Sequence, residues 1–162
     1  MLNKVRIYQF FSALFAKISA DEECFITAVL YPQEKHIFNK LQASDAKHAV
    51  RIAMFLSNTY PKDEILKRAA LLHDIGKSER SLNLIEKSIT VILDKLLPRY
   101  AHKLAKKNNS IMDIYYNHAT KGALIAQQLN LDPEIIFLIK NHHHSKVNNK
   151  RLQALISADN KY

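Results

Sequence analysis

DEILKRAALLHDIGK, residues 63–77, reads as a helix whose last turn carries polar groups on its apolar side. Pro61 with Asp63 and Glu64 opens the segment, as a proline and acidic residues do in a first turn. The apolar register runs to Leu72, and Gly76 marks the stop. His73 follows Leu66, Ala69 and Ala70 at seven, four and three positions, so it continues their inward stripe. Asp74, next to it, lies above Ala70 and Leu71. A buried polar group left unpaired costs about 1–3 kcal/mol, and a carboxylate more. The end of this helix therefore needs a partner.

Working outward, the same spacing gives a succession of helices. Val5, Tyr8, Phe11, Phe15 and Ile18 form one stripe, and Ser19 with Glu22 reads as a capping box opening a second helix that runs through Leu30. Pro32 opens a third, ending near Leu41; Ser44 or Asp45 caps a fourth, which runs to about Asn58. Beyond the quoted stretch come Leu82–Leu97, Pro98 as punctuation with a short basic segment, Met112–Leu129, Pro133 to about His143, and Lys150 onward. The 162 residues hold only two glycines and four prolines. An all-β chain needs turn residues roughly every eight to twelve positions, which this composition cannot supply. With no repeat and no break in composition, the expected class is all-α, a single-domain helical bundle.

Apolar residues make up 48% of the chain, which excludes wholesale disorder. The lone Cys24 rules out an internal disulfide framework and suits a reducing compartment. The N-terminal IYQFFSALFAKISA faintly resembles a secretory signal, but Gln9 and Lys17 interrupt it and its apolar residues recur at helical spacing, so it reads as a soluble amphipathic helix. No run approaches the 18 or so apolar residues of a membrane span. A cytoplasmic protein is expected. The net charge of +9 suits a polyanionic partner. The basic residues are scattered, however, and KKNNS and NNKR do not alternate with aromatics, so nucleic acid is less favoured than a small phosphorylated substrate.

Histidine carries the chemistry. Of eight, His48 shares the stripe of Ile52 and Phe55; His118 that of Ile111, Ile114, Tyr115 and Ile125; His142 and His143 that of Ile135, Ile136 and Ile139. Asp159 follows Leu152, Leu155 and Ile156, whereas His36, His102 and His144 have polar neighbours and read as surface residues. One inward histidine is ordinarily a satisfied core residue. Seven inward titratable groups on five helices, left unpaired, would rival the whole stability of a small domain, about 5–15 kcal/mol. A shared metal centre removes the conflict, because a cation takes imidazole lone pairs and neutralises carboxylates.

His48, then HDIGK at residues 73–77, then Asp159 resembles the pattern of HD-domain metal-dependent phosphohydrolases, and Gly76 with Lys77 is most similar to the HDIG subgroup. HATKG (residues 118–122) and the His142–His143 pair resemble the additional ligands of binuclear members. The resemblance covers about 44–160, so residues 1–43 are expected to form extra N-terminal helices packed on a 44–162 core. The GYP element of cyclic di-GMP phosphodiesterases is missing; HHHSKVNNK stands in its place. The resemblance implies two divalent ions, one held by His48, His73, Asp74 and Asp159, the other by Asp74, His118, His142 and His143. Neighbouring helical residues diverge by about 100°, so Asp74, with two oxygens, is the expected bridge while His73 serves one ion. The imidazole-rich set favours iron or manganese, with zinc, cobalt or nickel as substitutes, over oxygen-seeking magnesium.

Lys77 is the expected catalytic partner of Asp74 and a phosphate-oxygen ligand; Arg51, one turn beyond His48, and Lys121, beside Gly122, are further candidates for substrate binding. Each has a solvated surface cation as its plainer reading. Gly122 either opens space on the ligand face or is a packing glycine. The resulting expectation is a binuclear phosphohydrolase acting on a phosphate ester or phosphoanhydride of a nucleotide. The competing readings are a catalytically silent HD-type nucleotide-binding or signalling domain and a basic RNA-binding module.

Overall fold

Side chains at the helix starts set most segment boundaries. A computed structural model describes residues 17–80 and 82–162, and every regular element among them is helical. In α1 (Ala20–Val29) the Ser19 hydroxyl accepts the Glu22 amide at 3.3 Å and the Glu22 carboxylate accepts the Ser19 amide at 2.8 Å. This is the reciprocal cap expected from the sequence. α2 (Pro32–Phe38) starts on its proline, and α3 spans Ala43–Thr59. α4 (Glu64–Leu72) is capped by Asp63, whose Oδ1 accepts the Leu66 amide at 3.0 Å. A 3-10 turn (Ile75–Glu79) leads to α5 (Leu84–Leu96), α6 (Pro98–Ala105), α7 (Ile111–Gln128), α8 (Pro133–Asn141) and α9 (Lys150–Lys161). The stripe from Val5 to Phe15 lies outside the described residues; Ile18 packs against the core.

Two boundaries differ from the spacing argument. α3 starts after Gln42, and neither Ser44 nor Asp45 caps it. Asp45 instead accepts the Lys87 ammonium at 2.7 and 2.8 Å, a long-range ion pair invisible to local pattern. Pro98 begins α6 rather than merely separating helices, because its missing N–H is one the first turn leaves unpaired anyway.

α3 and α4 pack against each other, and Ala49 and Ala53 of α3 and Ala69 and Ala70 of α4 are all fully buried. α8 packs on both α4 and α7, α9 packs on α3, and the 3-10 turn packs on α7. Ile135, Leu138, Ile139, Leu152 and Leu155 complete the core. Each buried aliphatic side chain contributes about 1.5–3 kcal/mol. Ile26, Leu30 and Phe38, from α1 and α2, join the same cluster.

α2 is pinned by an ion pair. Glu34 is fully buried, accepts the Tyr31 amide at 2.9 Å, and takes both the Nη2 and Nε protons of Arg68 on α4. The Arg68 guanidinium also lies 4.7 Å from the Tyr31 ring centre. Removing one partner of such a pair strands the other charge, so Glu34→Ala is expected to lower stability by about 3–5 kcal/mol. Chemical denaturation checks this; a loss under 1 kcal/mol would mean that the pair is readily replaced by water.

Candidate metal centre

Three of the inward histidines are oriented by the ends and carbonyls of their own helices. His73 is the residue that terminates α4, and its Nδ1 donates to the Ala70 carbonyl at 2.8 Å. His142 does the same at the end of α8, donating to Ile139 O at 2.7 Å. His118, inside α7, shares its Nδ1 proton between the Ile114 and Tyr115 carbonyls at 3.1 Å each. A carbonyl only accepts, so Nδ1 carries the proton and each neutral ring presents a lone pair at Nε2.

Those lone pairs converge on one carboxylate. Asp74 Oδ2 lies 3.5 Å from His73 Nε2, and Oδ1 lies 3.3 Å from His118 Nε2 and 3.9 Å from His142 Nε2. The two oxygens thus face different imidazoles. The helical divergence expected between His73 and Asp74 does not operate, because α4 ends at Leu72 and Asp74 precedes the 3-10 turn. Asp159, from α9, accepts from His48 Nε2 at 2.8 Å and stands 3.7 Å from His73 Nε2. His143 Nε2 is 2.9 Å from His118 Nε2. Two sets of side chains each bring their ligand atoms within 4.8 Å of one another: His48, His73 and Asp74, and separately His118, His142 and His143.

This donor arrangement fits divalent cations. The Nε2 atoms of His73 and His142 are buried and have no hydrogen-bond partner. Each faces a carboxylate oxygen, lone pair to lone pair, which is unfavourable unless a cation lies between them. Protonation states agree. Burial would raise the Asp74 carboxyl, but Lys77 and the surrounding imidazoles hold it well below the usual carboxylate range. Burial pushes His118 down to about 4, against the pull of Asp74, and lowers His142 as well; His143, exposed rather than inward as its spacing suggests, is lowered by the partial desolvation of its ring. Neutral imidazoles beside ionised carboxylates are the form in which these residues bind metal.

Glycine sets the approach. A Cβ on Gly76 would lie 1.9 Å from the His118 carbonyl oxygen and 2.6 Å from the Gly122 nitrogen, both backbone atoms. A Cβ on Gly122 would meet Ile139 Cγ2 at 3.0 Å and Gly76 N at 3.1 Å. The 3-10 turn and α7 therefore touch through paired glycines, which brings Asp74 beside His118. For Gly122 the packing alternative holds.

A cavity of about 550 Å³ opens onto the centre, lined by His48, Asp74, Lys77, His118, His143 and Asp159. Lys77 donates to Asp74 Oδ2 at 2.6 Å and keeps further protons for a ligand. Arg51 is exposed and lies outside the lining. Lys121 is drawn off to Glu79 at 2.6 Å and Asp113 at 3.2 Å. The structure thus brings the seven expected ligands and Lys77 together but not Arg51 or Lys121. It adds a wall that the sequence reading missed: Asp45, Lys87, Thr90 and Asp94, with Tyr116. The available signal was the spacing of Lys87, Thr90 and Asp94 along one face of their helix. Burial and the hydrogen bond to Asp94 push the Tyr116 hydroxyl up to about 12.

Among the described residues no helix is long and apolar enough to cross a membrane. A family model described as the HD domain matches residues 46–160. No curated protein and no solved structure matches the chain.

Proposed function

Because the chain belongs to the HD-domain family of metal-dependent phosphohydrolases, we propose that it is a binuclear hydrolase of the HDIG type acting on a nucleotide phosphate ester or anhydride in the cytoplasm. The observation that carries this reading is the pair of buried, unpartnered Nε2 atoms on His73 and His142, both facing Asp74. His48, His73, Asp74 and Asp159 would hold one ion, and Asp74, His118, His142 and His143 the other. The imidazole-rich set favours iron or manganese over magnesium. The described part of the N-terminal segment, residues 17–43, is read as an extension seated on the 44–162 core, supported by the packing of Ile26, Leu30 and Phe38. Bound divalent ions supply Lewis acidity toward phosphoryl oxygens and lower the pKa of a water.

The protein's own groups do the rest. Four carboxylates and two ammonium groups line the cavity, so without cations its lining is acidic despite the +9 chain. Cations held by His48, His73, Asp74, His118, His142, His143 and Asp159 would offset that acidity and favour a phosphate. Asp74 divides its two oxygens between the two imidazole sets and holds them at a fixed separation. Lys77, anchored on Asp74, directs its remaining protons at a non-bridging phosphate oxygen.

Turnover of p-nitrophenyl phosphate and its bis ester by metal-replete protein tests the reading. Hydrolysis should disappear with a chelator and return with iron or manganese. A metal-loaded protein that hydrolyses no phosphate ester, nucleotide or dinucleotide would instead be a binding domain. Lys77→Ala should cost about 2–4 kcal/mol of transition-state stabilisation, the scale of one deleted charge-stabilising donor. Its metal content should match the native protein, since Lys77 is not a ligand. Loss of metal in that variant would show that Lys77 acts by positioning Asp74.

A further inference from the structure

The cavity extends past the ligand cluster, and its remaining wall has a distinct chemistry. Lys87, Thr90, Val91 and Asp94 recur at helical spacing along α5 and line the cavity together with Leu82, Ile114, Tyr115 and Tyr116. The polar groups of this wall are mostly committed. Lys87 donates to Ser44 Oγ at 3.0 Å and to both Asp45 oxygens at 2.7 and 2.8 Å, which uses its three protons. The Thr90 hydroxyl donates to the Lys87 carbonyl at 2.8 Å. Asp94 is different. Its Oδ1 accepts the Tyr116 hydroxyl and its Oδ2 the Tyr115 hydroxyl at 3.5 Å. A carboxylate has about four acceptor sites, so two remain open beside an aromatic and aliphatic surface.

That end of the cavity repels a second phosphate and suits a flat, uncharged group bearing an N–H donor. Resting on the phosphohydrolase reading, we propose that Asp94, held by Tyr115 and Tyr116, reads an amino group on a nucleobase, so that the substrate is an amino-bearing nucleoside phosphate. The volume agrees, since small-molecule sites run about 300–1,000 Å³. Carboxylates accept from the cytosine N4 amino group in the same way elsewhere. A 4-oxo group in its place sets two acceptors against each other. Asp94→Asn would add an amide N–H that a 4-oxo group accepts, and so weaken or invert the preference.

CMP and UMP match in charge and nearly in shape, but their pairing edges are reversed, 4-amino with a bare N3 in cytosine and 4-oxo with N3–H in uracil, so a carboxylate that faces position 4 separates them. Calorimetric binding of CMP, UMP, cytidine and uridine to the full metal-replete chain is expected to favour the cytosine compounds by about tenfold or more. In Asp94→Asn the ratio should fall toward one or invert, with ions per chain unchanged. Equal affinity for CMP and UMP in the native protein overturns the proposal, as does a cytosine preference that survives Asp94→Asn, or no binding of either nucleotide. Hydrolysis of both is followed in parallel. A cytosine preference without hydrolysis supports the Asp94 site and overturns the phosphohydrolase reading instead.

Discussion

Asp74→Ala is expected to strip the protein of both metal ions and reduce phosphate-ester hydrolysis to background. The reason is the division of its oxygens, Oδ2 toward His73 and Lys77 and Oδ1 toward His118 and His142. Among the described residues, Asp74 is the carboxylate that forms ion pairs with members of both imidazole sets, whereas Asp159 pairs with His48 and His73. The variant should also lose the stabilisation that metal confers. A ligand at about 1,000 times its dissociation constant adds about 4 kcal/mol to the folded state, and that increment should vanish. Thermal melts with and without chelator read this directly. If Asp74→Ala retains two ions and a chelator-sensitive midpoint, the bridging role is wrong.

Gly76→Ala is expected to damage fold and site together. The new methyl would overlap the His118 carbonyl oxygen at 1.9 Å, and neither that atom nor Gly122 N belongs to a flexible side chain. The 3-10 turn must move away from α7, and overpacking of this kind costs about 1–3 kcal/mol or more. The same movement draws Asp74 away from His118, now 3.3 Å apart. Metal affinity should fall by about 10–100-fold, the range for loss of a group that orients ligands. Gly122→Ala is the milder partner, since its added methyl meets neighbours at 3.0 Å and beyond. Denaturation and metal titration of both variants test the ordering; equal, small effects would mean that the glycine contact does not set the approach.

Much of this was legible in the chain because helices announce themselves locally. The Ser19–Glu22 cap, the Asp63 start and the stop after Leu72 follow from residues within one turn of the boundary. The inward faces of His73, His118 and His142 follow from three- and four-residue spacing, and all three are buried. What spacing cannot supply is where a long side chain ends. Arg51 and Lys121 both sit three residues after a histidine, yet one points to solvent and the other is captured by Glu79 and Asp113. Asp45 looked like a cap and is half of an ion pair 42 residues long in sequence. The Asp94–Tyr116 contact likewise joins α5 to α7. The role of Gly76 was missed because a close backbone crossing leaves no trace except the glycine itself.

Ions per chain, measured by elemental analysis on the native protein and on His118→Ala, tests the two-ion account most directly. About two ions should be found in the native protein and about one in the variant, with His48, His73, Asp74 and Asp159 retaining theirs. A native value of one that is unchanged in His118→Ala would contradict the account and leave His118, His142 and His143 as core histidines that satisfy one another.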